Sequence, residues 1–248
     1  KLPLFTACYG NTCTSSNRQP ITVRPTVSRH PKGGFLVFFG TGKYLETVDK
    51  TAGSTDGQSF YAVWDKNEGS NSDRVSSRSF MREQSVLYEG VQTYGSETYT
   101  LRTTSKHEPN WSSHRGWYID LPTTRERSTR NPILRNGKII FTTLIPLIQE
   151  DPCKSESEGW LMELDAVTGS ALSYSVFDLN KDGRFDGLDV VSNGRGVPSG
   201  MKFNQEIVEP TIIAIDENTE LKVINKDTVI KENPGVGALG RQSWREHY

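Results

Sequence analysis

Gly159-Trp-Leu-Met-Glu-Leu-Asp165, followed by Ala-Val-Thr-Gly169, reads as a strand running into its turn. The run is short and almost wholly apolar and ends on an aspartate, after which Thr and Gly supply turn chemistry. A shorter copy, Phe60-Tyr-Ala-Val-Trp-Asp65, ends on the same residue type. Each copy is preceded by a Gly-initiated apolar strand, Gly34-Phe-Leu-Val-Phe-Phe39 in one case and Gly137-Lys-Ile-Ile-Phe-Thr-Thr143 in the other. Pro25-Thr-Val27 and Pro132-Ile-Leu134 open these two units. Pro210-Thr-Ile212 opens a third, whose strands are Glu209-Pro-Thr-Ile-Ile-Ala-Ile215 and Glu220-Leu-Lys-Val-Ile224. Helical periodicity is nearly absent, so the chain is all-β. Repeats of this size are blades, each unable to bury its face alone and closing only by stacking on neighbours. An unspecified β-sandwich is the competing architecture. Residues 66–88 and 102–115 are polar and Ser-rich and read as loops.

The strand with its Asp-Ala-x-Thr-Gly turn resembles the blades of quinoprotein-type propellers. Three or four blades close a ring only at the small end of the ~4–8 range. The chain is therefore expected to be part of a larger propeller. Trp64 and Trp160 are expected at equivalent blade positions, packing between blades rather than stacking on a sugar or quinone.

Composition narrows the partners. The 248 residues carry 29 Lys+Arg against 30 Asp+Glu, a formal charge of −1, so no net pull toward nucleic acid or membrane surfaces is expected. No apolar run approaches the ~20 residues of a membrane-spanning helix. The chain opens at Lys1-Leu-Pro-Leu4 without a start methionine, as expected of a piece of a longer or processed polypeptide. Cys8 and Cys13 enclose Tyr-Gly-Asn-Thr, a loop that a disulfide can close, leaving Cys153 over. A C-x₄-C metal site is the competitor, but no nearby histidine completes it. The disulfide reading points to an oxidising, extracytoplasmic setting.

Asp178-Leu-Asn180-Lys-Asp182-Gly183-Arg184-Phe-Asp186-Gly-Leu-Asp189 is the stretch that carries chemistry. Oxygen-bearing side chains stand at loop positions 1, 3, 5, 9 and 12, with glycine at position 6. Ca²⁺ takes six to eight hard oxygen ligands, and Arg184, at position 7, needs only its backbone carbonyl to serve. A solvated acidic turn is the alternative. Ser173-Tyr-Ser-Val-Phe177 before the loop reads as a strand, and Val190-Val191-Ser-Asn-Gly194 after it is too short for a helix. This is a calcium loop of EF-hand type without the helix–loop–helix hand, which leaves open whether Asp189 swings in as a ligand.

Other motifs carry little. Phe39-Gly-Thr-Gly-Lys43 lacks the spacing of a phosphate loop, and G-x-S-x-G, H-E-x-x-H and C-x-x-C are absent. The four histidines are dispersed; His107 and His114 share a polar segment with Trp111 and Arg115 and read as an ordinary exposed loop. The chain is expected not to be an enzyme; a quinoprotein-like dehydrogenase is the catalytic alternative, and its calcium would be held by separate segments against the quinone.

A set of stretches resembles, in one order, the PilC/PilY family of type IV pilus biogenesis and tip-adhesin proteins. They are Arg18-Gln-Pro-Ile-Thr22, Gly33 to Leu45, Gln58 to Asp65, Gly116-Trp-Tyr-Ile-Asp-Leu-Pro122, Ile140 to Pro146, Gly159 to Asp165, the acidic loop and Gly240-Arg-Gln-Ser-Trp-Arg245. The resemblance covers residues 17–248 and implies that residues 1–248 are the C-terminal blades of a modified β-propeller domain. It implies one Ca²⁺, with ligands on Asp178, Asn180, Asp182, the Arg184 carbonyl and Asp186, and Asp189 outside that set. It also implies a calcium-binding, pilus-associated protein of Gram-negative bacteria, acting in pilus biogenesis, control of retraction, twitching motility and surface adhesion. The implied setting is the pilus tip, cell surface or outer membrane–periplasm. Implied partners are minor and major pilins, the remaining propeller blades, and a host or abiotic surface reached through regions outside this chain. A calcium-stabilised structural module is the further alternative.

Overall fold

The structure, a computed structural model, describes residues 3–51, 57–69, 73–148, 156–226 and 228–235; Cys153, His247 and the Gly240–Arg245 stretch lie outside them. Among the described residues fifteen strands are formed: β1 (Thr26–Arg29), β2 (Phe35–Gly40), β3 (Gln58–Asp65), β4 (Arg82–Gln84), β5 (Val86–Tyr94), β6 (Glu97–Thr104), β7 (Gly116–Leu121), β8 (Ile133–Arg135), β9 (Lys138–Thr142), β10 (Ile145–Pro146), β11 (Ser157–Asp165), β12 (Gly200–Phe203), β13 (Thr211–Ala214), β14 (Glu220–Asn225) and β15 (Thr228–Glu232). Among the described residues they make three sheets, ordered β1-β2-β3-β7-β4, β5-β6-β12-β11-β9-β8 with β10 on β11, and β13-β14-β15.

The repeat read from the sequence is the repeat of the fold. Each Pro-led segment becomes the first strand of a sheet, each following apolar segment the second, and each strand ending in aspartate the third. Phe35 faces Asp65 across β2–β3, and Lys138 faces Asp165 across β9–β11, so the two units share a register. Gly34 must be glycine: at φ +72° a Cβ would lie 2.2 Å from the Asp65 carbonyl oxygen. The Asp165 turn closes on itself, with Thr168 donating both its N–H and its hydroxyl to Asp165 Oδ1 at 2.7 and 2.9 Å. Gly169 (φ +73°) then lies flat on Trp117, where a Cβ would come within 2.3 Å of the indole.

Several expectations are corrected. The common register places Trp64 opposite the role of Leu164, and Trp160 opposite that of Phe60, so the two tryptophans are not equivalent, although both are buried. Residues 66–88 contain β4 and the start of β5, and residues 102–115 contain the end of β6, where Arg102, Thr103 and Thr104 are polar but buried. Ser173–Phe177 is not a strand. Only Phe177 pairs, in an isolated antiparallel bridge with Glu232, because β15 ends there and offers no further rungs.

Three cores hold the sheets. Between the first and second, Phe38, Phe60, Trp117, Phe141 and Trp160 are buried, with Phe60 stacked on Phe141 at 4.0 Å. Between the second and third, Ile140, Leu161, Phe177, Leu179, Met201 and Ile224 are buried. The outer face of the first sheet is covered by the N-terminal segment, whose Ala7 and Val23 pack on Phe39, Tyr61 and Tyr118. Each large side chain buried this way contributes roughly 1.5–3 kcal/mol. Cys8 and Cys13 form a disulfide in that segment. The Cys8 carbonyl accepts from Tyr61 Oη at 3.2 Å, tying the segment to the sheet.

Charges are buried at both seams of the second sheet. Fully buried Arg102 lies over the Trp160 ring at 3.9 Å, pairs with Glu126 at 2.7 Å and with Glu89 at 2.9 Å. On the opposite seam, Lys138 pairs with Glu163 at 2.9 Å, Lys222 with Glu163 at 2.6 Å and with Glu220 at 3.2 Å, and Arg135 with Glu220 at 3.0 Å. Lys222 also pairs closely with Glu232. These ions bind the third sheet to the second in one register.

A candidate metal centre clasped by a hairpin

The acidic loop leaves the second core at Phe177 and returns to it at Val191. Within it, alternate residues cap the amides that follow. Asp178 Oδ2 accepts from Gly183 N at 3.0 Å, Asn180 Oδ1 from Asp182 N at 3.0 Å, Asp182 Oδ1 from Arg184 N at 2.8 Å, and Asp186 Oδ1 from Leu188 N at 2.8 Å. Two left-handed residues, Lys181 (φ +59°) and Gly183 (φ +83°), make the sharp turn. The expected ligand residues therefore occupy one ring of backbone. Among the described residues, however, no three His, Cys, Asp or Glu side chains converge closely enough to hold an ion as they stand.

Asp189 has a different place from the other acids. It is fully buried, and both its oxygens are spent on backbone amides. Oδ1 accepts from Leu179 N at 2.8 Å and Asn180 N at 3.3 Å, and Oδ2 accepts from Asp186 N at 3.1 Å. Burial pushes its carboxyl up, and these backbone hydrogen bonds oppose that rise. Asp189 thus joins the two ends of the ring. Ser175 donates its hydroxyl to the Asp189 carbonyl at 2.8 Å, fixing it from the entering side.

One oxygen of the ring stands apart. Asp178 Oδ1 is buried and without a hydrogen-bond partner among the described residues. A buried carboxylate oxygen left so costs about 1–3 kcal/mol or more unless a cation meets it. The same loop also carries the Asp182 and Asp186 carboxylates, the Asn180 amide and the Arg184 carbonyl, donors of the hard-oxygen kind that suits Ca²⁺. The residues present fit that ion.

A structural element that sequence reasoning missed holds the loop from one side. β5 and β6 form a hairpin closed at Gly95-Ser96, with Tyr94 facing Glu97 and glycine at φ +60° in the first turn position. Only Leu101 and Arg102 of β6 pair with β12, so the far half of the hairpin is a two-stranded arm. Its inner face lies on the loop. Tyr94 Oη donates to the Val190 carbonyl at 2.9 Å, Ser192 Oγ donates to Gln92 Oε1 at 2.6 Å, and Lys181 pairs with Glu97 at 2.6 Å. Arg195 lies over the Tyr88 ring at 4.0 Å. The Lys181 ammonium holds the Glu97 carboxyl below its usual range, and burial pushes the Tyr94 and Tyr99 phenols up to about 12. Alternation over Val86–Tyr94 and a Gly-Ser turn were the available signal.

On the other side, Asn233 N donates to the Val176 carbonyl at 2.8 Å beside the Phe177–Glu232 bridge. The loop is thereby wedged between the hairpin and β15.

Known proteins share this architecture. The family described as the PilY1 beta-propeller domain matches residues 3–97. The type IV pilus biogenesis factor PilY1 of Pseudomonas aeruginosa strain UCBPP-PA14 is 31% identical over 264 residues, covering 98% of this chain and 22% of that protein. A PilY1 homologue of Xylella fastidiosa is 30% identical over 175 residues, covering 68% of this chain and 11% of that protein. The crystal structure of the Pseudomonas aeruginosa PilY1 C-terminal domain superposes with a TM-score of 0.78 at 25% identity, covering 94% of this chain and 48% of that one. The fold is that of an all-β, propeller-type domain. The chain belongs to the PilC/PilY family and corresponds to part of its C-terminal domain, spanning about a fifth of the length of the PilY1 relatives.

Proposed function

We propose that this chain is the calcium-responsive part of a type IV pilus biogenesis factor, with one Ca²⁺ site formed by Asp178, Asn180, Asp182, the Arg184 carbonyl and Asp186. The observation that carries the site is the buried, unpartnered Asp178 Oδ1 inside a ring of alternating oxygen donors. Bound calcium would supply the positive charge that lets three carboxylates share one loop. The chain's own residues do the rest. Asp178, Asp182 and Asp186 would supply carboxylate oxygens to the ion, Asp189 keeps the backbone ring closed, and the hairpin and β15 hold the ring between them.

The pilus role rests on the relatives, each a type IV pilus biogenesis factor. In that role the loop governs pilus assembly, retraction and the surface adhesion and twitching that depend on them, through contact with minor or major pilins at an extracytoplasmic pilus base or tip. The Cys8–Cys13 disulfide supports such a setting. No helix among the described residues is long and apolar enough to cross a membrane. We read the chain as a binding module rather than an enzyme. Retraction control needs calcium exchange near the ambient level, since a ligand acts only through its differential binding to two states.

Isothermal calorimetry on chelator-stripped protein tests the site, with Asp182→Ala beside it. One saturable site, lost in the variant, is expected; wild-type affinity in the variant rejects the assignment.

A further inference from the structure

The wedge leaves a cleft of about 380 Å³ between the loop, β6, β12 and β15. Its floor is apolar, made by Phe177 and Met201, with Tyr99 on the hairpin wall and Val229 at the mouth. Its rim carries two lysines. Lys181 is neutralised by Glu97 at 2.6 Å. Lys231 is exposed and forms no ion pair among the described residues. Its ammonium sits over the loop because Gly183 has no side chain; a Cβ there would lie 3.3 Å from Lys231 Nζ.

We infer that this cleft docks an extended segment of a partner protein that presents a side-chain carboxylate to Lys231 and an apolar neighbour to Met201 and Val229. The inference rests on the calcium reading of the loop. Asp178 and Asp182 line the same cleft, so the metal-free loop repels an incoming carboxylate. Two positive charges placed in the ring offset most of the charge of its three carboxylates, weakening that repulsion and leaving Lys231 as the unpaired cation facing the segment. Charge complementarity thus makes the docking conditional on calcium, and the apolar floor gives it a hold that salt does not screen. The volume accommodates two or three side chains, within the range of ~300–1,000 Å³ typical of built binding sites.

The capped peptide N-acetyl-Leu-Glu-Leu-amide is a suitable probe, with its Gln analogue as control, followed by the methyl NMR signals of Met201 and Val229. Calorimetry on the same sample first establishes whether calcium binds. With calcium bound, we expect saturable shifts of both methyls, at least ~10-fold weaker binding of the Gln analogue, and loss of the shifts on adding a chelator. Lys231→Ala abolishes them, and Lys226→Ala, an exposed lysine outside the cleft, keeps them. If calcium binds but no saturable shift appears at about 10 mM, where even a millimolar ligand is mostly bound, the cleft assignment falls and the metal site stands. An equal response to the Gln analogue, an unchanged Lys231→Ala variant, or binding undiminished by chelator also overturns it. If calcium does not bind, both readings fall together.

Discussion

Phe177 and Glu232 face each other in an isolated antiparallel bridge, which puts the last residue of β15 one position from the first acid of the loop. Glu232 is in turn held by Lys222, which burial keeps below the usual ammonium range. The entrance to the acidic loop is therefore braced by the buried ions of the seam. Lys222→Met should destabilise the chain by about 3–5 kcal/mol, because it strands buried carboxylates. Urea unfolding measures that loss, and calorimetry on the folded fraction should show weaker calcium binding. Unchanged affinity would mean that the bridge does not transmit the seam to the loop.

Asp178→Ala/Asp186→Ala should abolish calcium binding and leave the sheets intact, since both side chains lie outside the cores. Far-ultraviolet circular dichroism should superpose on the wild type while the calorimetric signal disappears.

Asp189→Asn should weaken calcium by about 10–100-fold without removing a ligand, the usual cost of loosening a group that orients the ligands. An asparagine cannot accept from Leu179 N and Asp186 N with both terminal atoms. Complete loss of binding would instead place Asp189 among the ligands.

Tyr94→Phe removes the hydrogen bond to the Val190 carbonyl. A loss of about 1 kcal/mol of local stability is expected, which speeds amide exchange in the hairpin roughly fivefold. Calcium should slow exchange in the same amides of wild-type protein. Exchange indifferent to calcium would show that the hairpin does not sense the loop.

His30 is stacked on Trp64 at 4.2 Å, and its Nδ1 accepts from Lys32 N at 3.1 Å. Burial, and then the Lys32 charge, lower its pKa. A histidine lowered in the folded state gives stability above its unfolded value of about 6.5 and loses it as pH falls, because the unfolded chain binds the proton more readily. Thermal melts between about pH 7 and pH 5 should fall for the wild type and flatten in His30→Phe, which keeps a ring in the stack but does not titrate.

The repeat was legible because the first two units share a Pro-led, a Gly-led and an Asp-ended strand in order, the third shares the Pro-led opening, and each strand keeps its partners in space. The oxygen-bearing side chains of the loop were equally plain, since their positions alternate along the sequence, and those from Asp178 to Asp186 each cap an amide further along. Three things were hidden. The polar residues at 82–88 and 102–104 belong to β4, β5 and the end of β6, where composition alone read as loop. The rungs of Trp64 and Trp160 depend on register, which the similarity of two aromatic strands does not set. Asp189 stands at the spacing of a twelfth ligand, which left its role open, and its three amide partners were not legible from spacing.

That brace also sets a clock. Asp189 closes the ring with hydrogen bonds from the amides of Leu179, Asn180 and Asp186, so binding an ion there would need side-chain rotations, which take picoseconds to nanoseconds, and no folding step. Entry at ~10⁸–10⁹ M⁻¹s⁻¹, the range reached when charge steers the encounter, would let a micromolar site empty in about 1–10 milliseconds. A loop of that affinity would follow the surrounding calcium within milliseconds, so its occupancy would report the medium at each moment.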